Sequence, residues 1–319
     1  MHGTAARFLR RLGILGVFLF LNAPGHGADG AGPDAASRQP VADTSRIVSI
    51  GGSITEILYA LGEQQKIVAV DTTSVYPESA LREKPNVGYM RQLSPEGVLA
   101  LSPTLILAIQ GSGPRETIDV LERAKIPLTI IPDQFTGAGI IEKIGLISRD
   151  VGADERGACL TRVVGSELAA LDATRGRIRQ GIRVAFLLSL ANGRPMVSGR
   201  ATAADGIIEM AGAGNAFDNF EGYKLVNDEA IIAAKPDAIL VMQRGEHALS
   251  ADTVFSQPAL AMTPAAEHMN LISMDGLYLL GFGPRTARAA RDLARRLYPN
   301  IDVGVLPSEQ DSAHGPCDR

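Results

Sequence analysis

Short apolar runs alternate with amphipathic stretches through the first half of the chain. Four of these runs have the composition of buried parallel strands: Arg46–Ile50, Lys66–Val70, Leu105–Ile109 and Leu128–Ile131. Three stretches between them have apolar residues at helical spacing: Thr55–Leu61, Ser94–Leu101 and Arg115–Ala124. Regular alternation of this kind predicts βαβ units, with helices packed against a parallel sheet.

The middle of the chain, from about residue 139 to 180, has no strand pattern. Ile141, Ile144 and Ile147 begin a series of apolar positions at helical spacing, and Gly152 interrupts it. We therefore predict a connecting helix over 139–180, broken near Gly152.

Alternation resumes after the connector, in six segments: Arg183–Leu188, Asp205–Met210, Asp228–Ala234, Ala238–Val241, Leu271–Met274 and Thr286–Leu297. The pattern predicts an α/β fold of two Rossmann-like lobes, residues 45–138 and 181–300, joined by a long α-helix. A ligand cleft is expected between the lobes.

An internal repeat relates the two lobes. Gly88–Leu107 and Gly222–Leu240 both begin with a Gly-Tyr pair and continue into a short helix opened by an acid, Glu96 or Glu229. In each copy a proline follows seven residues after the acid, and an apolar strand follows the proline. Two related lobes that face each other leave a cleft, which is a common place for a small ligand.

The first 28 residues have the pattern of a secretory signal peptide. Three arginines precede the apolar run Leu12–Leu21, and small residues follow it, so cleavage is expected between Ala23 and Ala31. The run is too short to cross a bilayer, and no cysteine follows it for a lipid anchor. Residues 29–44 and 301–319 are rich in small and polar residues, which predicts a flexible lead-in and a flexible tail.

Composition and charge are those of a globular protein without a nucleic-acid surface. The chain has 319 residues, of which 45% are hydrophobic and 21% charged, and its net charge is −4. Removal of the signal peptide takes away three arginines and leaves 28 bases against 35 acids, a net charge of −7. Such a balance argues against nucleic-acid binding. Export makes a disulfide between Cys159 and Cys317 possible, but the sequence does not establish the pairing.

The motifs of common enzyme classes are missing from the sequence. It contains no complete dinucleotide fingerprint, no P-loop, no G-x-S-x-G element and no H-E-x-x-H metal motif. Only three histidines, His247, His268 and His314, follow the signal peptide, which leaves few members for a hydrolytic triad. We therefore expect a protein that is not an enzyme.

Several segments resemble the helix-linked class of periplasmic binding proteins, which deliver vitamin B12, siderophores or haem to ABC importers. They are RIVSIGGSITEILYALG from Arg46, NVGYMRQLSPEGVLALSPTLIL from Asn86, the connector, and DAILVM from Asp237. Within that class GYMRQLSPEGVL, GRATAADGIIEMAG and GLYLLGFGPRT resemble the haem-binding branch. The resemblance covers Arg46 to Pro299.

The resemblance implies a monomeric periplasmic protein that binds ferric haem b as its transported ligand. It implies delivery to the membrane permease and ATPase subunits of an ABC importer, and it allows an outer-membrane haem receptor system upstream. Two rival functions stay open: the same fold binding cobalamin or a ferric siderophore, and a periplasmic haem scavenger that works without a transporter.

In the haem-binding branch, the tyrosine of the Gly-Tyr-x-Arg motif ligates the haem iron, and here that residue is Tyr89. A phenolate oxygen is a known axial ligand of haem iron, and a nearby cation favours the ionised phenol. The resemblance implies that Arg91 and Arg244 supply that charge. The alternative is that Tyr89 only anchors a surface turn. Tyr223, its repeat counterpart, is expected to be structural or to line the pocket.

The remaining expectations concern the pocket walls and the transporter. Residues expected to contact the haem ring, or else to lie in the core, are Met90, Met242, Tyr278, Leu279 and Phe282. Some relatives stack a second haem on a histidine of lobe two; His247 is the candidate here, but one haem is expected. Relatives dock on their permease through one acid per lobe, which implies that role for Glu96 and Glu229. Both acids would also stabilise a helix start.

Overall fold

The fold of the first lobe rests on a parallel sheet of four strands. The structure is a computed structural model, and it describes residues 43–179, 181–191, 194–243, 249–307 and 317. The strands of lobe 1 are β1 (Ile47–Ile50), β2 (Ile67–Val70), β3 (Leu105–Ile109) and β4 (Leu128–Ile131), in the order β2-β1-β3-β4. Its helices are α1 (Gly52–Ala60), α2 (Ser79–Glu83), α3 (Pro95–Leu99) and α4 (Arg115–Arg123). All four predicted strands are confirmed to within one residue.

The connector is a pair of antiparallel helices. These are α5 (Gly137–Asp150) and α6 (Asp154–Arg175), and the break falls at Gly152, whose φ is +69°. Gly137 at the start of α5 lies against Leu168 in α6, so the two helices fold back on each other. The predicted break is confirmed, and the long helix of the connector is α6. Helix α5 packs against lobe 1, and α6, with 22 residues, packs against lobe 2.

Lobe 2 combines parallel and antiparallel strands. They are β5 (Arg183–Ala191), β6 (Arg194–Ser198), β7 (Gly214–Asn215), β8 (Tyr223–Leu225), β9 (Ala238–Gln243) and β10 (Leu271–Asp275). The order is β10-β9-β5-β6-β8, in which β6 runs antiparallel to both its neighbours and β7 pairs with β5. The sequence pattern missed β6 and β8, because β6 carries a proline and all three residues of β8 are exposed.

In the described part of lobe 2, seven helices accompany this second sheet. They are α7 (Ala203–Met210), α8 (Asp228–Ala234), α9 (Ala251–Phe255), α10 (Pro258–Ala261), α11 (Pro264–Glu267), α12 (Gly276–Leu280) and α13 (Thr286–Leu297). The largest hydrophobic core runs without interruption from the face of β1 and β3 through α5 and α6 to α7 and α13. The two lobes and the connector therefore share one core.

A disulfide ties the end of the chain to the connector. Cys159 in α6 is bonded to Cys317, with 5.9 Å between their Cα atoms, which settles the pairing that the sequence left open.

The predicted signal peptide, residues 1–28, and almost all of the predicted lead-in lie outside the described residues. In the described part of the chain, no helix combines the length and apolar character needed to cross a membrane.

Candidate functional site

A cavity of about 1010 Å³ lies between the lobes. This is the upper end of the roughly 300–1,000 Å³ that small-molecule sites occupy. It opens at the carboxyl ends of parallel strands, where α/β sheets bind ligands. Its lining residues come from both lobes: Gly51–Ser53, Thr72, Thr73, Val75, Tyr89–Arg91, Ile109, Gln110, Asp133 and Phe135, then Ala201–Ala203, Gly222, Tyr223, Met242, Gln243, Asp275–Leu277, Leu280 and Gly281.

The first turn of α1 is held rigidly at the cavity wall. Gly51 has a φ of +119°, and a Cβ there would lie 2.8 Å from the Ile109 side chain, so only glycine fits. The fully buried Asp71 accepts the Gly51 backbone N–H at 2.9 Å. The Gly52 N–H donates to the Thr73 hydroxyl at 2.9 Å, and that hydroxyl in turn donates to Asp71. This network fixes one edge of the cavity.

Tyr89 lies in the loop between α2 and α3 and lines the cavity. Gly88 before it has a φ of +93°, and the side chain of Tyr89 is 41% exposed. Hydrogen bonds from the Gln92 N–H to the Tyr89 carbonyl (2.7 Å) and from the Gly113 N–H to the Met90 carbonyl (2.8 Å) hold the loop. The phenol is therefore accessible on a fixed backbone, with Met90 and Arg91 beside it in the same wall.

Tyr223 faces the same cavity from lobe 2. It begins β8 and is 39% exposed. Partial burial raises the pKa of Tyr223, while the Thr202 hydroxyl, the charge of Arg91 and the Ala204 backbone oppose that rise. Arg91 of lobe 1 thus acts electrostatically on a tyrosine of lobe 2, a relation that the sequence did not predict. The expectation that Tyr223 lines the pocket is confirmed.

Of the five predicted wall residues, Met90 and Met242 line the cavity. Contrary to the prediction, Tyr278, Leu279 and Phe282 do not line it. Leu279 and Phe282 are buried in the core, at 0% and 1% exposure. The hydroxyl of Tyr278 turns away and donates to Asp292 at 2.8 Å.

The physical reason is that residues 276–280 form the helix α12. Residues spaced three and four apart share one face of a helix. Leu277, Leu280 and Gly281 therefore face the cavity, and Leu279 faces the core.

Arg244, the second expected partner of the phenolate, and His247, the candidate for a second haem, lie outside the described residues. Across the part of the chain that the structure does describe, no group of three or more His, Cys, Asp or Glu side chains is placed to hold a metal ion.

Glu96 and Glu229 occupy equivalent exposed positions in the two lobes. Each is the second residue of its helix, α3 or α8, after an N-cap side chain that accepts a backbone N–H: Ser94 from Gly97 at 3.2 Å and Asn227 from Ala230 at 3.0 Å. The Glu96 carboxylate accepts hydrogen bonds from the Glu96 backbone N–H and from the Ser94 hydroxyl, and these hold the pKa of Glu96 below its ordinary value. Both acids are presented to solvent as the repeat predicted.

The comparison with protein families gives a match over most of the chain. The model described as periplasmic binding protein matches residues 47–277. Among curated proteins, the vitamin B12-binding protein of Pectobacterium carotovorum subsp. carotovorum (strain PC1) is 27% identical over 79% of this chain and 88% of its own length.

Two solved structures are more similar in sequence. The apo form of the periplasmic heme-binding protein RhuT from Roseiflexus sp. RS-1 is 38% identical, over 80% of this chain and 98% of that one, with a TM-score of 0.76. The periplasmic heme-binding protein BhuT in complex with two hemes is 35% identical over the same shares, with a TM-score of 0.75.

Proposed function

The chain belongs to the periplasmic binding protein family, and we propose that it binds ferric haem in the cleft between its lobes and hands it to an ABC importer. Family membership makes it an exported substrate-binding protein of an ABC transporter rather than an enzyme. The choice of haem within the family rests on the cavity itself.

The observation that carries this proposal is the exposed phenol of Tyr89 in the cavity wall. A transported ligand that contains ferric iron needs a hard oxygen donor, and a phenolate oxygen is such a donor. Tyr89 stands on a backbone that hydrogen bonds hold in place, so its ring needs little ordering when the ligand arrives. Arg91 lies in the same wall and adds a positive charge to the cavity.

The walls suit a large, flat and mostly apolar ligand. Met90 and Phe135 of lobe 1 face Met242, Leu277 and Leu280 of lobe 2 across the cavity. Thioether and aromatic side chains pack well against a planar ring. Similarity to two heme-binding proteins at 35% and 38% identity supports the same ligand class.

Transfer to the importer is proposed to use the two exposed acids. Glu96 and Glu229 lie at equivalent helix starts of the two lobes, and both are exposed to solvent. Arginines of a membrane subunit would pair with them in bidentate fashion. One anchor on each lobe would place the cleft over the entrance of the permease.

A spectroscopic titration tests the ligand. Purified mature protein is titrated with hemin, and a Soret band distinct from that of free hemin, saturating at a fixed ratio, is expected. Its end point also gives the number of haems bound. A matched titration with cyanocobalamin tests the rival cargo, since a curated relative is a vitamin B12-binding protein. Saturable binding of cobalamin without a shifted Soret band would contradict the haem proposal.

A further inference from the structure

A buried lysine of the connector contacts both lobes beneath the cavity. Lys143 lies in α5, and its side chain is completely buried. Its ammonium nitrogen lies 2.7 Å from an Asp133 carboxylate oxygen, 3.3 Å from the Ser53 hydroxyl and 3.2 Å from the Phe282 carbonyl oxygen. An ammonium group has three N–H donors. These three acceptors satisfy all of them.

The three acceptors come from separate parts of the fold. Ser53 belongs to α1 and Asp133 to the loop after β4, both in lobe 1, whereas Phe282 follows α12 in lobe 2. Ser53 and Asp133 also line the cavity. One buried cation therefore links two groups of the ligand-facing wall to the backbone of the opposite lobe.

A second ion pair crosses the same boundary one helical turn away. Glu56, three residues after Ser53 in α1, is 5% exposed. It accepts hydrogen bonds from the Arg285 side chain at 2.9 Å and from the Arg285 backbone N–H at 3.1 Å. Burial lowers the pKa of Lys143, and the negative charges of Asp133 and Glu56 oppose that effect. The boundary between the lobes thus holds two ion pairs, Lys143 with Asp133 and Arg285 with Glu56, whose opposite charges balance.

Apolar packing around these charges is close. The rings of Phe135 in lobe 1 and Phe282 in lobe 2 meet edge to face, with their centroids 5.3 Å apart. Gly206 in α7 lies against the backbone of Phe135 and the ring of Phe282, and a Cβ there would be 3.0 Å from the Phe282 ring. A close-packed boundary of this kind resists gradual deformation. The lobes therefore meet at an interface that has one preferred arrangement.

We propose that Lys143 is a positioning residue of the ligand site, which sets the width of the cleft by anchoring Ser53 and Asp133 of lobe 1 to Phe282 of lobe 2. Loss of the ammonium leaves a carboxylate and a carbonyl at a buried boundary without their donor, which is costly for that arrangement. The cleft then loses its preset width.

A distance measurement tests this inference independently of the ligand. Spin labels are placed at Glu122→Cys in α4 and Asp252→Cys in α9, two exposed positions in different lobes. Pulsed electron resonance on the full mature chain then gives the distribution of interlobe distances. Lys143→Met is expected to broaden and shift that distribution. The control Lys66→Met is expected to leave the distance distribution unchanged. Lys66 does not line the cavity, and its ammonium nitrogen lies 2.6 Å from a Glu63 carboxylate oxygen.

An unchanged distribution in folded Lys143→Met protein would overturn the proposal. If that variant does not fold, Ser53→Ala and Asp133→Asn each remove one acceptor and retain the lysine. They are expected to broaden the distribution in the same direction by a smaller amount. No broadening in either variant would equally overturn the proposal.

A hemin titration of the same variants adds a binding readout, and this arm alone rests on the proposed function. Lys143→Met is expected to weaken hemin binding about tenfold, and adding Asp133→Asn to it is expected to have little further effect, because the two groups act together. Fully additive losses would contradict the coupling. If the wild-type protein bound no hemin, the haem proposal would be refuted. The role of Lys143 would still stand if Lys143→Met changed the interlobe distances.

Discussion

Gly88 and Gly222 adopt the same left-handed backbone conformation, with φ of +93° and +76°, and each places the tyrosine after it in the wall of one cavity. The correspondence continues along the chain. Ser102 and Lys235, each directly before a proline, also have positive φ, at 47° and 44°. Lobes 1 and 2 therefore share a local backbone path as well as a sequence pattern, and the cleft presents two phenols from related positions.

Backbone strain is the first expected consequence of this relationship. Gly88→Ala and Gly222→Ala should each lower the free energy of unfolding by about 1–2 kcal/mol, because an L-residue with a Cβ is disfavoured at positive φ. Steric overlap contributes little, since the atom nearest to a Cβ at Gly88 is 3.9 Å away and none lies within 4 Å at Gly222. Urea denaturation measures the change.

Gly97→Ala in α3 is the matched control. Its φ is not positive, and a Cβ there would meet Ser94 at an ordinary 3.7 Å. Alanine should be neutral or stabilising there, by up to about 1 kcal/mol, because it favours helix. Equal losses at all three glycines would show that backbone conformation is not the cause.

The two tyrosines are expected to differ in ligand chemistry. Tyr89→Phe should abolish the charge-transfer absorption of a ferric phenolate and weaken hemin binding, because it removes the proposed iron ligand. Tyr223→Phe is the matched control on the opposite wall, and it should keep that absorption. Visible spectra of the hemin-loaded variants compare them. If the phenolate band persisted in Tyr89→Phe and was lost in Tyr223→Phe, the iron ligand would be Tyr223 of lobe 2 instead.

The docking role of the acids is tested on the reconstituted importer. Glu96→Ala combined with Glu229→Ala should abolish stimulation of the transporter ATPase by the loaded protein, because each acid is exposed and free of the cavity. Hemin affinity should stay unchanged in the same variant. Glu116→Ala, in the first turn of the neighbouring helix α4, provides an exposed acid as a control. Full stimulation by the double variant would contradict the docking role of Glu96 and Glu229, whereas no stimulation by the wild-type protein would favour a scavenger that works without a transporter.

The disulfide should contribute to global stability. It joins residues 158 positions apart, so its loss enlarges the conformational freedom of the unfolded chain. The double variant Cys159→Ser with Cys317→Ser should have a free energy of unfolding lower by about 2–4 kcal/mol. Thermal unfolding with and without reductant measures this in the wild type. A midpoint that reductant does not move would show that the bond makes no such contribution.

Strands β1, β2 and β3 of lobe 1 could be predicted because each is a mostly apolar run that is almost entirely buried. A strand such as Leu105–Ile109, in which every residue is buried, has a local sequence that directly reports its environment. Strands β6 and β8 give no such signal, because β6 carries a proline and all three residues of β8, at the edge of the sheet, are exposed. Their pairing follows from the fold and not from their own composition.

Lys143 shows the same limit at the site. Its neighbours Ile140, Ile144 and Ile147 mark the buried face of α5, and a lysine on that face was the one local sign of an internal contact. Nothing in the sequence near Lys143 indicates that its partners are Ser53, 90 residues earlier, and Phe282, 139 residues later. Similarly, the wall formed by Leu277 and Leu280 could be distinguished from the core only after α12 was known to be helical.

The sequence by itself thus determined the alternation of strands and helices, the break at Gly152 and the repeat that relates the lobes. Each of these depends on local periodicity or on a short motif, which neighbouring residues encode. Only the tertiary structure decided the antiparallel packing of the connector, the partners of Cys159 and Lys143, the side of α12 that faces the cavity, and the approach of Arg91 to Tyr223. These depend on contacts between distant segments, which form when the shared core of the two lobes is packed.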